Sequence, residues 1–242
     1  MVEAAKSLEP GIFLQRENRF VGEFKLSTGA RDKCHIMNPG RMKEFLVPGA
    51  EIFVENRKKN NPKRKLTYSL IYAKENETLI GIDSQLSNAI FEDALVNRKV
   101  EPFKKVKEIV REQTYGEEQR SRVDFVLDGT IFVEVKTTNC VIDGIAKFPD
   151  APSTRAQKHI QDLLFERTKG NEIWAVFLVQ RADAKALRPY DRIDPKFGAL
   201  LRDAVTKGLK TKAFLIRYSP GGLNATFGKE IPVLLDPPEE QH

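Results

Sequence analysis

Between residues 121 and 136 two short runs, Ser-Arg-Val-Asp-Phe-Val-Leu and Thr-Ile-Phe-Val-Glu-Val-Lys, flank an Asp-Gly pair. β-Branched and aromatic runs on either side of Asp-Gly predict a hairpin. Side chains alternate between the faces of a strand, so Ile131, Val133 and Val135 share one face while Phe132, Glu134 and Lys136 share the other. A carboxylate and an ammonium therefore emerge side by side.

Upstream, short runs near 12–14, 20–26, 33–36, 51–54, 66–72 and 78–82 suit half-buried strands. A short helix over 41–46 is expected to interrupt them, ending before Pro48-Gly49. So many short strands in so little chain predict a small closed or nearly closed barrel, and an oligonucleotide-binding or an SH3-like barrel would fit the same pattern. The period then changes. Ile90, Phe91, Ala94 and Leu95 recur at helical spacing behind Ser87 and Asn88. A strand over 106–113 leads into the hairpin.

Beyond it, Ser153 or Thr154 caps a helix carrying Ile160, Leu163 and Leu164 and stopping at Gly170. Residues 172–179 are nearly continuously apolar, as in a strand covered on both faces. Asp194-Pro195 opens another helix, which ends near Gly208, and a strand follows at 213–216. Helix, three strands, helix, strand, helix, strand describes an α/β sheet with helices on its faces. The expected organisation is a barrel at 1–86, an α/β domain at 87–236 and a Pro/Glu tail at 237–242.

Composition narrows the class. With 40% hydrophobic and 31% charged residues among 242, the chain reads as globular. No apolar run approaches the roughly 18 residues that span a bilayer, so no membrane segment is expected. The first eleven residues lack the apolar stretch of a secretory leader, and a cytoplasmic location is expected. Cys34 and Cys140 stand far apart without a C-x-x-C pair, which supports neither a zinc site nor a disulfide framework. Forty Lys and Arg against 34 Asp and Glu leave a net charge of +6, which suits a polyanionic partner. Six of these cations, Arg57, Lys58, Lys59, Lys63, Arg64 and Lys65, form an acid-free run between two barrel strands. Such a run can neutralise several phosphates, or merely keep a solvated hairpin from edge pairing. Phe20, Phe24, Tyr68 and Tyr72 offer rings for base stacking, although their spacing also suits a core.

The candidate chemistry lies in the hairpin. Asp124 precedes Glu134 with nine residues between them, and Lys136 follows two residues later. An acid, a spacer and Glu-x-Lys, set in a strand meander between two helices, resembles the PD-(D/E)XK nuclease layout. Asp124 and Glu134 would bind a divalent cation, Mg2+ or Mn2+, with the backbone carbonyl of Val135 as a third ligand. Lys136 would stand by the attacking water or the charge building on phosphorus. Glu92 resembles the extra acid that many members carry on the preceding helix, and Gln157 the polar residue that some carry on the following one. Arg155 and Lys158 flank Gln157 and would face a phosphate backbone. His35 and His159 read as ordinary satisfied polar residues.

A lone Asp/Glu/Lys set on strands is also the composition of an ordinary surface ion pair, worth under about 1 kcal/mol. Geometry separates the two. A strict two-residue Asp128-Gly129 turn would send Asp124 and Glu134 to opposite faces, whereas a three-residue loop or a bulge brings them together.

Several ordered blocks resemble the sugar fermentation stimulation protein (SfsA) family: Asn38-Pro39-Gly40-Arg41-Met42-Lys43-Glu44-Phe45-Leu46-Val47-Pro48-Gly49-Ala50, Pro62-Lys63-Arg64-Lys65-Leu66, Ser121-Arg122-Val123-Asp124-Phe125, Glu134-Val135-Lys136, Phe148-Pro149-Asp150-Ala151-Pro152, Arg155-Ala156-Gln157-Lys158-His159 and Val179-Gln180-Arg181. The family usually has Asn-Thr-Gly where this chain has Asn38-Pro39-Gly40. The resemblance implies an oligonucleotide-binding-like N-terminal domain, a nuclease-like C-terminal domain, DNA binding without clear sequence preference and a regulatory link to sugar use. Arg41 joins the expected DNA-contacting residues. Two functions remain in play, a Mg2+-dependent phosphodiesterase acting on nucleic acid and a non-catalytic DNA-binding regulator, and a homodimer stays open for either.

Overall fold

A computed structural model describes residues 1–58 and 61–236. A two-residue strand, β1 (Val2–Glu3), comes first. Then follow β2 (Glu9–Asn18), β3 (Val21–Leu26), β4 (Arg31–Ile36), β5 (Glu51–Asn56), β6 (Tyr68–Glu75) and β7 (Thr78–Gly81). Strands β2 to β6 pair in the order β4-β3-β2-β5-β6, and a parallel β4–β6 pairing closes the barrel. Inward-facing Phe13, Phe24, Ile36, Ile52, Val54 and Leu70 fill it, as strand alternation requires. Phe24, Tyr68 and Tyr72 are buried, so three of the four candidate stacking rings serve packing.

The helix expected over 41–46 is a single turn. Met42 takes φ +52° and the Leu46 N–H donates to its carbonyl at 2.9 Å. Its apolar residues, Met42, Phe45 and Leu46, plug the barrel instead of repeating along a helix face. Core packing overrides local propensity here.

The second domain contains α1 (Leu86–Val96), β8 (Ile109–Tyr115), β9 (Ser121–Leu127), β10 (Ile131–Thr138), β11 (Val141–Ile142), β12 (Ile145–Phe148), α2 (Thr154–Thr168), β13 (Glu172–Val179), β14 (Ala186–Pro189), α3 (Pro195–Thr206), β15 (Lys210–Tyr218) and β16 (Asn224–Ile231). Seven strands form one mixed sheet in the order β1-β16-β15-β13-β10-β9-β8, parallel only across β10-β13-β15. Helix α1 packs on one face against Phe125, Val133 and Val176, and α2 and α3 pack on the other against Phe132, Ala175 and Phe177. Ser153 and Asp194 cap α2 and α3, accepting from Ala156 N–H at 3.1 Å and Phe197 N–H at 2.9 Å. A small sheet, β11-β12-β14, holds the proline-rich loop that follows Phe148.

One boundary needs correction. Strand β1 belongs to the α/β sheet, pairing Val2 with Ala225, and Ala4 and Ala5 join the α/β core. The barrel therefore starts near Glu9 rather than at residue 1. Two alanines and one valine among charged residues carry no strand pattern, which is why sequence reading places this segment in the barrel. The expected 237–242 tail lies outside the described residues.

Buried polar contacts join the domains. The Gly81 N–H donates to the Gln180 carbonyl at 2.8 Å. The Gln180 amide donates to the Asp83 carbonyl and to Ser87 Oγ, and the Tyr218 hydroxyl donates to Gln180 Oε1 at 3.1 Å. A Cβ at position 81 would overlap both Tyr218 Oη and Gln180 Oε1. Gly81→Ala is therefore expected to destabilise the protein by about 1–3 kcal/mol. Urea unfolding measures this, and an unchanged midpoint would show that the junction carries little of the stability.

Candidate active site

The turn after β9 decides the geometry. Leu127 pairs with Ile131, Val126 with Phe132 and Phe125 with Val133, which leaves the three-residue loop Asp128-Gly129-Thr130. Asp128 and Gly129 both take positive φ, +47° and +69°. The Asp128 carboxylate accepts from the N–H groups of Lys107 and Glu108 at 2.9 and 2.8 Å, fixing the loop against the entry to β8. Continuing that register places Asp124 opposite Glu134, on the same face. This is the odd-loop arrangement on which the carboxylate pair depends.

Each member of the pair is held differently. Asp124 Oδ2 accepts from the Val135 N–H and Oδ1 from Asn88 Nδ2, both at 2.7 Å. Glu134 is only 3% exposed; its Oε1 accepts from Lys136 Nζ at 2.7 Å and meets His159 Nδ1. Its Oε2 is buried without any hydrogen-bond partner. Burial pushes the Asp124 carboxyl up, the nearby charge of Glu134 adds to this, and the result is about 7. Burial also pushes Glu134 up, but Lys136 and His159 outweigh it and hold that group below the usual carboxylate range. The site thus contains one firmly ionised carboxylate and one that ionises reluctantly beside it.

These groups open into a cleft of about 530 Å3 between the domains. One wall is the barrel loop Asn38-Pro39-Gly40 with Arg19, and the other is the loop 148–153. Asn38 Oδ1 accepts from the Gly40 N–H at 2.8 Å, which keeps the wall turned despite Pro39. A second groove, sharing Glu112, Asp124, Arg155 and His159 with the cleft, adds Arg120, Arg122 and Lys158. Acids at the bottom and cations along the approach give the cleft a negative floor and a positive rim.

Asp124, Glu134, Val135, Lys136 and Arg155 all line the cleft. Glu92 does not; it pairs with Arg111 at 2.7 Å, and Asn88, one turn earlier on α1, takes the place expected of it. Gln157 also faces elsewhere, its amide donating to both oxygens of Asp194 at 2.9 and 3.1 Å. Lys158 lies 3.2 Å from Asp162. On the barrel Arg41, Lys58, Lys63 and Lys65 are exposed, while Arg57 pairs with Glu55 at 2.6 Å and Arg64 donates to Ser69 Oγ at 2.9 Å. Lys59 lies outside the described residues.

His159 is the residue that sequence reading passes over. Arg155 Nε approaches its Nε2 at 3.4 Å, and a guanidinium only donates, so Nδ1 carries the proton toward Glu134. The signal was available, since Arg155 and His159 are four apart and share a helix face. Among the described residues no group of three or more His, Cys, Asp and Glu side chains has metal-holding geometry. Any cation here would combine the two carboxylates with backbone oxygen and water, and the orphaned Glu134 Oε2 gives such an ion a ready partner.

A closed barrel of the OB type joined to a mixed α/β domain, with two facing acids and a lysine on one of them, defines a two-domain protein. Residues 14–82 match the SfsA N-terminal OB domain and residues 85–222 the sugar fermentation stimulation protein RE domain. The chain belongs to the SfsA family. It is 37% identical over 207 residues to the sugar fermentation stimulation protein homolog of Thermoanaerobacter sp. (strain X514), covering 84% of this chain and 88% of that one. The Clostridium kluyveri homolog is 38% identical over 213 residues, covering 86% and 90%. The solved structure of Pyrococcus furiosus SfsA in complex with Ca2+ superimposes with a TM-score of 0.84 at 28% identity, covering 97% of this chain and 100% of that one. Among the described residues no helix is long and apolar enough to cross a membrane.

The raised Asp124 carboxyl has a consequence for stability. The native state holds a proton that the unfolded chain has already released between its ordinary value of 3.8 and about 7. Stability of the metal-free protein should therefore fall as pH rises through that window. Urea unfolding in EDTA at pH 5 and pH 8 measures the slope, and Asp124→Asn should flatten it. A slope retained in that variant would assign the effect to another group.

Proposed function

We propose that this protein is a DNA-binding, Mg2+-dependent phosphodiesterase whose reaction centre is Asp124, Glu134 and Lys136. The observation that carries this reading is the buried, unpartnered Oε2 of Glu134, on the same sheet face as a second carboxylate. A buried carboxylate oxygen without a donor is costly, and a divalent cation relieves both that cost and the repulsion between the two acids. The Ca2+ in the Pyrococcus furiosus relative supports a divalent cation in this fold.

Asp124 and Glu134 would hold Mg2+ or Mn2+ with the Val135 carbonyl. The ion supplies charge neutralisation at the phosphate and a more acidic water. Asn88 and the Val135 N–H fix the Asp124 carboxylate, while His159 holds Glu134 Oε1 in place. Lys136 Nζ, which donates to Glu134 Oε1, would donate to a non-bridging phosphate oxygen as charge accumulates there. Arg19, Arg120, Arg122 and Arg155 draw the backbone toward the cleft, and the exposed Lys58, Lys63 and Lys65 extend the positive surface over the barrel. Such binding weakens steeply with salt.

With Mg2+, wild-type protein should cleave DNA. Glu134→Ala and Lys136→Ala should each lower the rate by at least about 100-fold while leaving salt-sensitive binding in EDTA intact. Gel-resolved cleavage of labelled oligonucleotides tests this. Binding without cleavage by wild type would favour the regulator reading.

A further inference from the structure

Phe20 is the one aromatic residue among the described residues that stands well out into solvent, at 47% exposure, while the barrel's other aromatic rings are buried or half-buried. It sits in the β2–β3 turn directly after Arg19, which lines the cleft. The turn is braced for something beyond connecting two strands. Asn18 Oδ1 accepts from the Phe20 N–H at 2.9 Å, and the Phe20 carbonyl accepts from the Ile36 N–H at 2.9 Å. The Arg16 guanidinium donates to the carbonyls of Asn18 and Arg19 on this turn, and of Asn38, Gly40 and Arg41 on the cleft wall. One side chain thereby fastens the turn to that wall.

The surroundings of the ring are equally specific. The half-buried His35 ring lies behind Phe20, with centroids 6.5 Å apart and planes at 38°. Arg64 and Arg57 are close enough to His35 to help burial lower its pKa against the opposing charge of Asp83, although Arg57 is itself paired with Glu55. Arg19 has no carboxylate partner among the described residues, and its charge stays available. A rigid exposed ring with cations around it is the composition of a base-stacking platform.

Depth limits what can reach the carboxylates. Glu134 and Lys136 are 3% and 8% exposed, at the bottom of a cleft walled by both domains. A phosphodiester in an intact duplex is backed by its own stacked bases and the opposing strand, and must leave the helix to enter such a cleft. Inside a duplex both faces of each base are covered by neighbours, so only an unpaired or terminal base can stack on Phe20.

We propose that the substrate is single-stranded DNA and that Phe20, backed by His35, stacks one of its bases at the cleft mouth while Arg19 takes an adjoining phosphate. This rests on the phosphodiesterase reading for its cleavage step only. Binding is tested separately by fluorescence anisotropy in EDTA, with a labelled single strand of about 16 nucleotides and its duplex. Wild type should prefer the single strand. Phe20→Ala should weaken that binding by about tenfold and leave the weak duplex binding unchanged, and Phe20→Trp should restore it. With Mg2+, the same alanine variant should raise KM and spare kcat. Unchanged single-strand affinity in Phe20→Ala, or a wild type that binds and cuts duplex as well as single strand, would overturn the proposal. If nothing is cleaved while the binding pattern holds, the phosphodiesterase reading fails and the platform stands. Phe20 contributes little to the core, so both variants should fold, which circular dichroism checks.

Discussion

Two carboxylates facing one another below the protein surface cost free energy, and much of the local architecture bears on that cost. Water no longer screens them, and their mutual repulsion grows as the effective dielectric falls. The fold answers with oriented donors: a backbone N–H and an asparagine amide on Asp124, an ammonium and an imidazole on Glu134. These come from β10, α1 and α2, so the site ties both faces of the sheet to one small charge cluster. One oxygen, Glu134 Oε2, is left without any donor, which sets the cluster apart from a fully satisfied structural ion pair.

The barrel gives the cleft its second wall. It is positioned by Gln180, just past the end of the apolar β13, whose side chain reaches Asp83, Ser87 and Tyr218. A buried amide with its donor and acceptor both engaged fixes orientation as well as distance, because any tilt leaves a polar group unpaired. Arg16 does the same on the barrel side, where several carbonyls converge on one guanidinium. The cleft width is thus set by two hydrogen-bonded hubs.

Much of this could be read from the chain because the relevant signals are local and periodic. The hairpin, the capped helices at Ser153 and Asp194, and the apolar β13 each announce themselves within about ten residues. The two acids required one further step, an odd-numbered loop, and the chain meets it with positive φ at Asp128 and Gly129. What escaped was set by tertiary context. Glu92 and Asn88 lie on the same side of α1, and only the proximity of Arg111 decides which faces the site. Gln157 is drawn to the cap of α3, a partner 37 residues away that no local pattern reveals. The 41–46 segment has helical spacing over too few residues, and its apolar side chains are claimed by the barrel. Strand β16, Asn-Ala-Thr-Phe-Gly-Lys-Glu-Ile, lacks alternation and is defined by its neighbours on either side.

The pairing of β1 with β16 also bears on how the chain assembles. Val2 lies near the start of the described residues, and its partner Ala225 lies near their end. The barrel is built from pairings of short sequence separation and can close on its own, while the sheet that seats it gains its edge strand only through a contact spanning almost all the described residues. In topological terms the barrel is an insertion near the beginning of the α/β domain. Cutting the chain near residue 86 would therefore not yield two intact halves, because the larger half would leave its edge strand on the smaller one.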